Sequence, residues 1–149
     1  MALTMHMYGQ APLNAFGGSV GWPTTGGTVR AILLKSSYTP DQDAHRTKAD
    51  LTVASNELAA GGDYVAGGGT VTNPTRAYTG AGNIDTLDGD DVVWTNLSGT
   101  FRYVALVDGT ASTGILYGWG DFGTDQVVSG VGFTVQWNAA GIFQGTVAP

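Results

Sequence analysis

Serine, aspartate and histidine in hydrolase order are the first chemistry this chain offers. Gly17-Gly18-Ser19-Val20-Gly21 spells G-x-S-x-G, and Asp41, Asp43 and His45 follow it. A nucleophile elbow, however, needs a strand before it and a helix after it. Here Ser19 lies in a Gly-rich loop that runs into Trp22-Pro23, and a residue before proline is extended. Without the strand-turn-helix context, the letters do not predict acyl transfer, and the chain is expected to be no enzyme. Gly118-Trp119-Gly120-Asp121-Phe122-Gly123 likewise spells G-x-G-x-x-G. The residues that follow, Thr124 to Val128, do not form the helix whose N-terminus would hold a pyrophosphate, so a strand end with a bulge is expected there.

Two metal chemistries can be weighed. Asp85, Asp88, Asp90 and Asp91 crowd into IDTLDGDDVVW and form a calcium candidate, since calcium takes several carboxylate and carbonyl oxygens from a tight loop. They lack the closing Glu of an EF-hand, and Asp and Gly are also the ordinary residues of a hairpin turn. His6 and His45 are the only histidines and Cys is absent, so a zinc site of three or four ligands is not expected. No cofactor is predicted. Among the aromatic residues, Trp22, Trp94 or Trp119 could serve a carbohydrate-binding module. Phe101, Phe133 and Trp137 sit where a sandwich core needs bulk. Tyr8, Trp22 and Tyr38 lie outside regular strands and read as a contact surface.

The elements that would position these groups are strands. Residues 28–47, TVRAILLKSSYTPDQDAHRT, hold the organising stretch: Ala31-Ile32-Leu33-Leu34 has no polar alternation, which predicts a strand covered on both faces. Residues 40–60 are the only helix-capable segment, with Asp50 or Thr52 as cap of one to two turns in ASNELAA, stopped by Gly61-Gly62. Strands are then expected at 69–78, 83–87, 91–96, 100–107, 113–120, 131–137 and 142–147. Pro74 marks an edge or a bulge. Residues 100–107 read as internal, and 131–137 place Val131, Phe133, Val135 and Trp137 on one face. The fold class is all-β: an antiparallel β-sandwich of immunoglobulin-like or jelly-roll type, with at most one short helix and an extended N-terminal arm. Residues 1–27 form the arm or first hairpin and 28–149 the sandwich.

Composition bounds the function. A chain of 149 residues is one domain, long enough to bury roughly 70% of its unfolded surface. It has no Cys, hence no disulfide framework, and suits reducing and oxidising compartments alike. Charged residues make up 12% of the chain, against a usual ~25%. The net charge is −6. Residues 1–79 balance Arg30, Lys35, Arg46, Lys48 and Arg76 against Asp41, Asp43, Asp50, Glu57 and Asp63, so the excess lies in residues 80–149, where Arg102 faces seven aspartates. Without clustered Lys and Arg, no nucleic-acid partner is expected, and an acidic surface repels anionic lipid. The first ten residues, MALTMHMYGQ, lack the basic and apolar regions of a signal peptide, and no later run is long enough to span a bilayer.

Taken together, ALTMHMYGQAPLNAF, VRAILLKSSYTPDQDAHRT, ASNELAAGGDYVAGGGTVTN, LDGDDVVWTNLSGTFRYVALVDG, GWGDFG and FTVQWNAAGIF resemble a family of small tailed-bacteriophage virion proteins over nearly the whole chain. Members are labelled head decoration (cement), head fibre or minor tail proteins. One departure follows His45, where the family pattern leads to aromatic and acidic residues and this chain has Arg46-Thr47-Lys48. The resemblance implies a structural protein without an active site, made in the host bacterial cytoplasm and added in many copies to the virion surface. A decoration protein binds the major capsid protein and stabilises the head, often as a trimer, one form of homo-oligomer. The alternative is a minor tail or fibre-tip protein that binds tail proteins and contacts the host. Docking contacts are expected in the arm, through Tyr8, Leu13, Phe16 and Trp22, and in the loop 36–50, through Tyr38, Asp41, Asp43, His45, Arg46 and Lys48.

Overall fold

The computed structural model describes residues 3–12, 21–24, 28–109 and 114–146. Among the described residues eight strands form two antiparallel sheets, as the all-β reading anticipates. The five-stranded sheet runs β1 (Met5–Met7), β7 (Leu116–Val135), β6 (Val92–Asp108), β2 (Val29–Leu34), β3 (Gly69–Val71). The three-stranded sheet runs β4 (Thr75–Thr79), β5 (Ile84–Asp88), β8 (Phe143–Thr146). β1 adds to the free side of β7 through Met5↔Gly120 and Met7↔Gly118, so the start of the chain is part of the main sheet.

β2 is covered on both faces. Val29, Ala31 and Leu33 point into the core between the sheets, with Phe101, Val104 and Leu106 of β6, Tyr117 and Val135 of β7, and Phe143 of β8. Ile32 and Leu34 point the other way, into a second cluster with Tyr8, Tyr38, Leu51, Tyr103, Ala105, Val107 and Leu116. A strand buried on both faces cannot alternate apolar with polar residues, which is why 31–34 reads as it does. Burying each of Ile32, Leu33 and Leu34 is worth about 1.5–3 kcal/mol.

The second cluster is roofed by the segment between β2 and β3. It holds a 3₁₀ turn, Lys48–Leu51, and a short helix α1, Val53–Asn56, separated by Thr52 in the left-handed region at φ 49°. The Asp50 carboxylate accepts the backbone N–H groups of Arg46 and Thr47 at 2.9 and 2.8 Å and fixes the entry to the turn. Thr52, one of the two expected caps, occupies the N-cap position of α1, but its side chain makes no capping hydrogen bond. The helix has one turn, within the one to two expected, but it stops earlier than Gly61-Gly62: Glu57 is already extended, and its N–H closes on Val53. Glu57 is drawn out because its Oε1 accepts the Tyr64 hydroxyl at 3.0 Å and the Gly67 N–H at 2.6 Å.

Three expected strand boundaries change. Pro74 splits 69–78 into β3 and β4, which belong to different sheets, and β4 is an edge strand. The runs 91–96 and 100–107 fuse into β6, while 113–120 and 131–137 fuse into β7. Both fusions cross irregular pairings, between Trp94/Leu97, Leu97/Gly99 and Phe101/Tyr103. In the last, Arg102 opposes the four residues 122–125, a bulge made possible by Gly123 at φ 83°. G-x-G-x-x-G therefore lies inside a strand, which bulges there and continues to Val135.

Candidate functional site

The polar loop 36–50 is held from inside. Tyr8 and Tyr38 meet hydroxyl to hydroxyl at 2.5 Å, and the Tyr38 hydroxyl lies 2.9 Å from His45 Nδ1. The backbone N–H of Asp41 also reaches Nδ1, at 3.3 Å, and an N–H can only donate. Nδ1 is therefore an acceptor, so Tyr38 donates to His45 and Tyr8 donates to Tyr38. Burial pushes the Tyr8 phenol far up, reinforced by its bond to Tyr38, and pushes Tyr38 up to about 12. Both phenols stay protonated at neutral pH and act as hydrogen-bonding posts. Asp41 Oδ1 accepts the N–H groups of Asp43 and Ala44 at 3.1 and 2.9 Å, closing a tight turn. The Gly9 N–H bonds to the Gln42 carbonyl at 2.9 Å and ties the first residues to this turn.

Of the expected docking set, Asp41, Asp43 and Arg46 lie on the surface of the loop, and His45 and Lys48 are half-buried. Ser36, Ser37, Thr39, Gln42, Ala44 and Ala49 are exposed beside them. Tyr8, Trp22 and Tyr38 are buried, and they serve as the loop's internal supports or as core. Trp22 donates from Nε1 to the Asp88 carbonyl at 3.1 Å and packs edge-on against Tyr117 and Phe143. Leu13 and Phe16 lie outside the described residues.

The hydrolase reading finds no support in the residues described. Asp41 is spent on its own turn, His45 Nδ1 faces a phenol in place of a carboxylate, and Ser19 lies outside the described residues. The calcium candidate is dispersed. Asp85 pairs with Arg76 at 2.8 Å, Asp90 accepts from Thr72 and Asn73, and Asp91 accepts the Trp137 N–H. Residues 88–91 pass from one sheet to the other and form no hairpin. Among the described residues no group of three or more His, Cys, Asp or Glu could hold a metal ion.

Of the three tryptophans considered for saccharide binding, Trp22 and Trp94 are buried. Trp119 is half-buried on the outer face of β7, stacked by His6 at 4.6 Å and met edge-on by Tyr103. Beside it Arg102 grips Asp121 with two bonds of 2.9 Å and lies over the Tyr103 ring. The Arg102 guanidinium holds the Asp121 carboxyl below the usual carboxylate range, and the pair braces the bulge. Phe101 and Trp137 are core, and Phe133 packs partly buried against it, as expected.

Sequence reasoning missed the exposed side of the long β6–β7 ribbon. Val127 is 76% exposed, Val93 60% and Val131 49%. Val131 was expected on one face with Phe133, Val135 and Trp137; it pairs with Leu97 between two register shifts and is exposed where the other three pack toward the core. Among the described residues, no helix is long and apolar enough to cross a membrane. Comparison of the chain with known protein families, with curated proteins and with solved structures gave no match in any of the three.

Proposed function

We propose that this chain is a non-enzymatic virion structural protein, a capsid decoration (cement) protein that binds the outside of a phage head and stabilises it. The observation that carries this reading is the loop 36–50. Its backbone is locked by the Tyr8–Tyr38–His45 chain, the Asp41 turn and the Asp50 carboxylate, while Asp41, Asp43 and Arg46 are offered to solvent. A loop pre-organised in this way pays little ordering entropy when it docks on a protein surface. Repeated copies turn modest single contacts into strong attachment, and binding only the mature shell stabilises that shell. The resemblance described above supplies the virion setting.

The same surface would serve a minor tail protein, and one experiment separates the two. Purified particles are imaged by cryo-electron microscopy after adding back the recombinant chain or its Asp43→Lys/Arg46→Glu variant. Density repeated over the icosahedral surface, lost with the variant, is the expected result. Density confined to the tail makes it a tail protein, and no bound density on any particle rejects the virion reading.

A further inference from the structure

The latch that holds loop 36–50 places all its protons in one state only. Tyr8 donates to Tyr38, and Tyr38 donates to His45 Nδ1, which also accepts the backbone N–H of Asp41 at 3.3 Å. His45 therefore carries its ring proton on Nε2. Every donor of this chain has an acceptor, and the chain ends on an imidazole, a group that changes charge between about pH 5 and 8. A proton added to Nδ1 upsets the arrangement. Nδ1–H becomes a donor, so the Asp41 N–H loses its acceptor. The protons of His45 Nδ1, Tyr38 and Tyr8 then compete for two contacts, Tyr38–His45 and Tyr8–Tyr38, and one hydroxyl is left without an acceptor. Tyr8 is 0% and Tyr38 2% exposed, so water does not reach the stranded proton. A buried donor without a partner is the costly case of hydrogen bonding.

We propose that protonation of His45 unlatches this loop: the imidazolium leaves Tyr38, and the turn 41–45 loosens from Tyr8 and Tyr38. The surroundings give the ring somewhere to go. Asp50, on the same loop, interacts with the charge of His45, and its carboxylate is pinned by the N–H groups of Arg46 and Thr47, the two residues that follow His45. Asp41 and Asp50 both set negative charge against the Tyr38 phenol. Asp43 and Arg46 are exposed on either side of the ring in sequence. From β1 the chain continues to Tyr8, 6.3 Å from the imidazole, and β6 supplies Tyr103, edge-on to Tyr38, with the Arg102–Asp121 pair behind it. Neutral phenols thus face the ring from inside and carboxylates from the loop, so the imidazolium is drawn outwards. The turn can move as a unit, because Asp41 keeps the N–H groups of Asp43, Ala44 and His45. Beyond the latch, the bond from the Gly9 N–H to the Gln42 carbonyl is what ties it to the first residues. The loop is therefore shown to a partner in two forms, locked above this pH range and loosened below it. This inference does not depend on the virion reading.

Nuclear magnetic resonance of the full, nitrogen-labelled chain between about pH 8 and about pH 5 tests each step. At the upper end the His45 ring should be the Nε2–H tautomer. As the ring titrates, the Asp41 amide should shift along the same curve, and its exchange protection, corrected for the intrinsic effect of pH, should fall about tenfold. Carboxyl groups take up their protons near ~4, outside this window. His45→Gln puts a neutral amide oxygen in place of Nδ1 and should keep Asp41 protected throughout. His6→Gln changes the other histidine of the chain and should leave the wild-type curve as it is. An Nδ1–H tautomer at the upper end overturns the proposal. So does an Asp41 amide that keeps its shift and protection while the His45 ring titrates, or a ring that stays neutral down to about pH 5. A folded His45→Gln variant that loses protection over the same range overturns it as well, and if that variant does not fold the wild-type titration decides alone.

Discussion

Tyr38 is the middle ring of a three-group chain, and its hydroxyl serves two neighbours, Tyr8 and His45. Tyr38→Phe removes both bonds and leaves the buried Tyr8 hydroxyl without this partner, at a cost of about 1–3 kcal/mol. Tyr8→Phe removes one bond and keeps Tyr38 on His45, at about 0.5–1.5 kcal/mol. Urea titrations of the two variants should rank them in that order; equal losses would mean that neither the His45 bond nor the stranded Tyr8 hydroxyl matters to stability. Asp50 makes a pH prediction. Backbone N–H groups of Arg46 and Thr47 hold its carboxyl below the ordinary 3.8, so the folded chain binds this proton less readily than the unfolded chain. Its contribution to stability is complete above that ordinary value and drains as pH falls through the lower, folded one. Urea midpoints should fall from about pH 4 downwards, less steeply in Asp50→Asn than in the wild type. At this scale the sequence was least informative. Nothing in the spacing of Tyr8, Trp22 and Tyr38 distinguishes an exposed aromatic from a buried post, because irregular backbone has no period to read. The four aspartates of 85–91 look clustered along the chain, yet they diverge once the two sheets separate.

Strands were the legible elements, because apolar runs and β-branched residues carry a signal that short helices lack. The double coverage of β2 was readable from Ala31-Ile32-Leu33-Leu34 alone. Hidden were the fusions that make β6 and β7, since Leu97-Ser98-Gly99 and the residues around Gly123 look like turns and act as bulges. Gly118 shows what a motif glycine does here. A Cβ at that position would collide with the His6 carbonyl on one side and the Phe143 ring on the other, so its role is to let β1 and β8 close on β7. Gly118→Ala should cost about 1–3 kcal/mol by overpacking and lower the melting temperature by several degrees. Calorimetry that finds no change would mean that the sheets have room to part. Leu51 is the fully buried side chain that the 3₁₀ turn sends into the second cluster. Leu51→Ala should cost about 2–5 kcal/mol, with hydrogen exchange quickening first across 35–57, the layer it fastens.

The molecule as a whole divides by charge, and the division sets how each half meets a charged surface. Residues 1–79 are neutral and include the loop 36–50, while residues 80–149 carry seven aspartates against Arg102. Two acidic halves brought together repel through solvent over distances comparable to a Debye length, ~8 Å at physiological ionic strength. Salt removes that field, and it also weakens contacts made between opposite charges. Contacts of one copy with another through residues 80–149 should therefore tighten as salt rises from about 0.02 M to about 0.5 M, and contacts through Asp41, Asp43 and Arg46 of the loop should weaken over the same range. Sedimentation velocity across that range reads the sign directly, and a constant that does not move with salt would mean that neither set of charges lies at the contact.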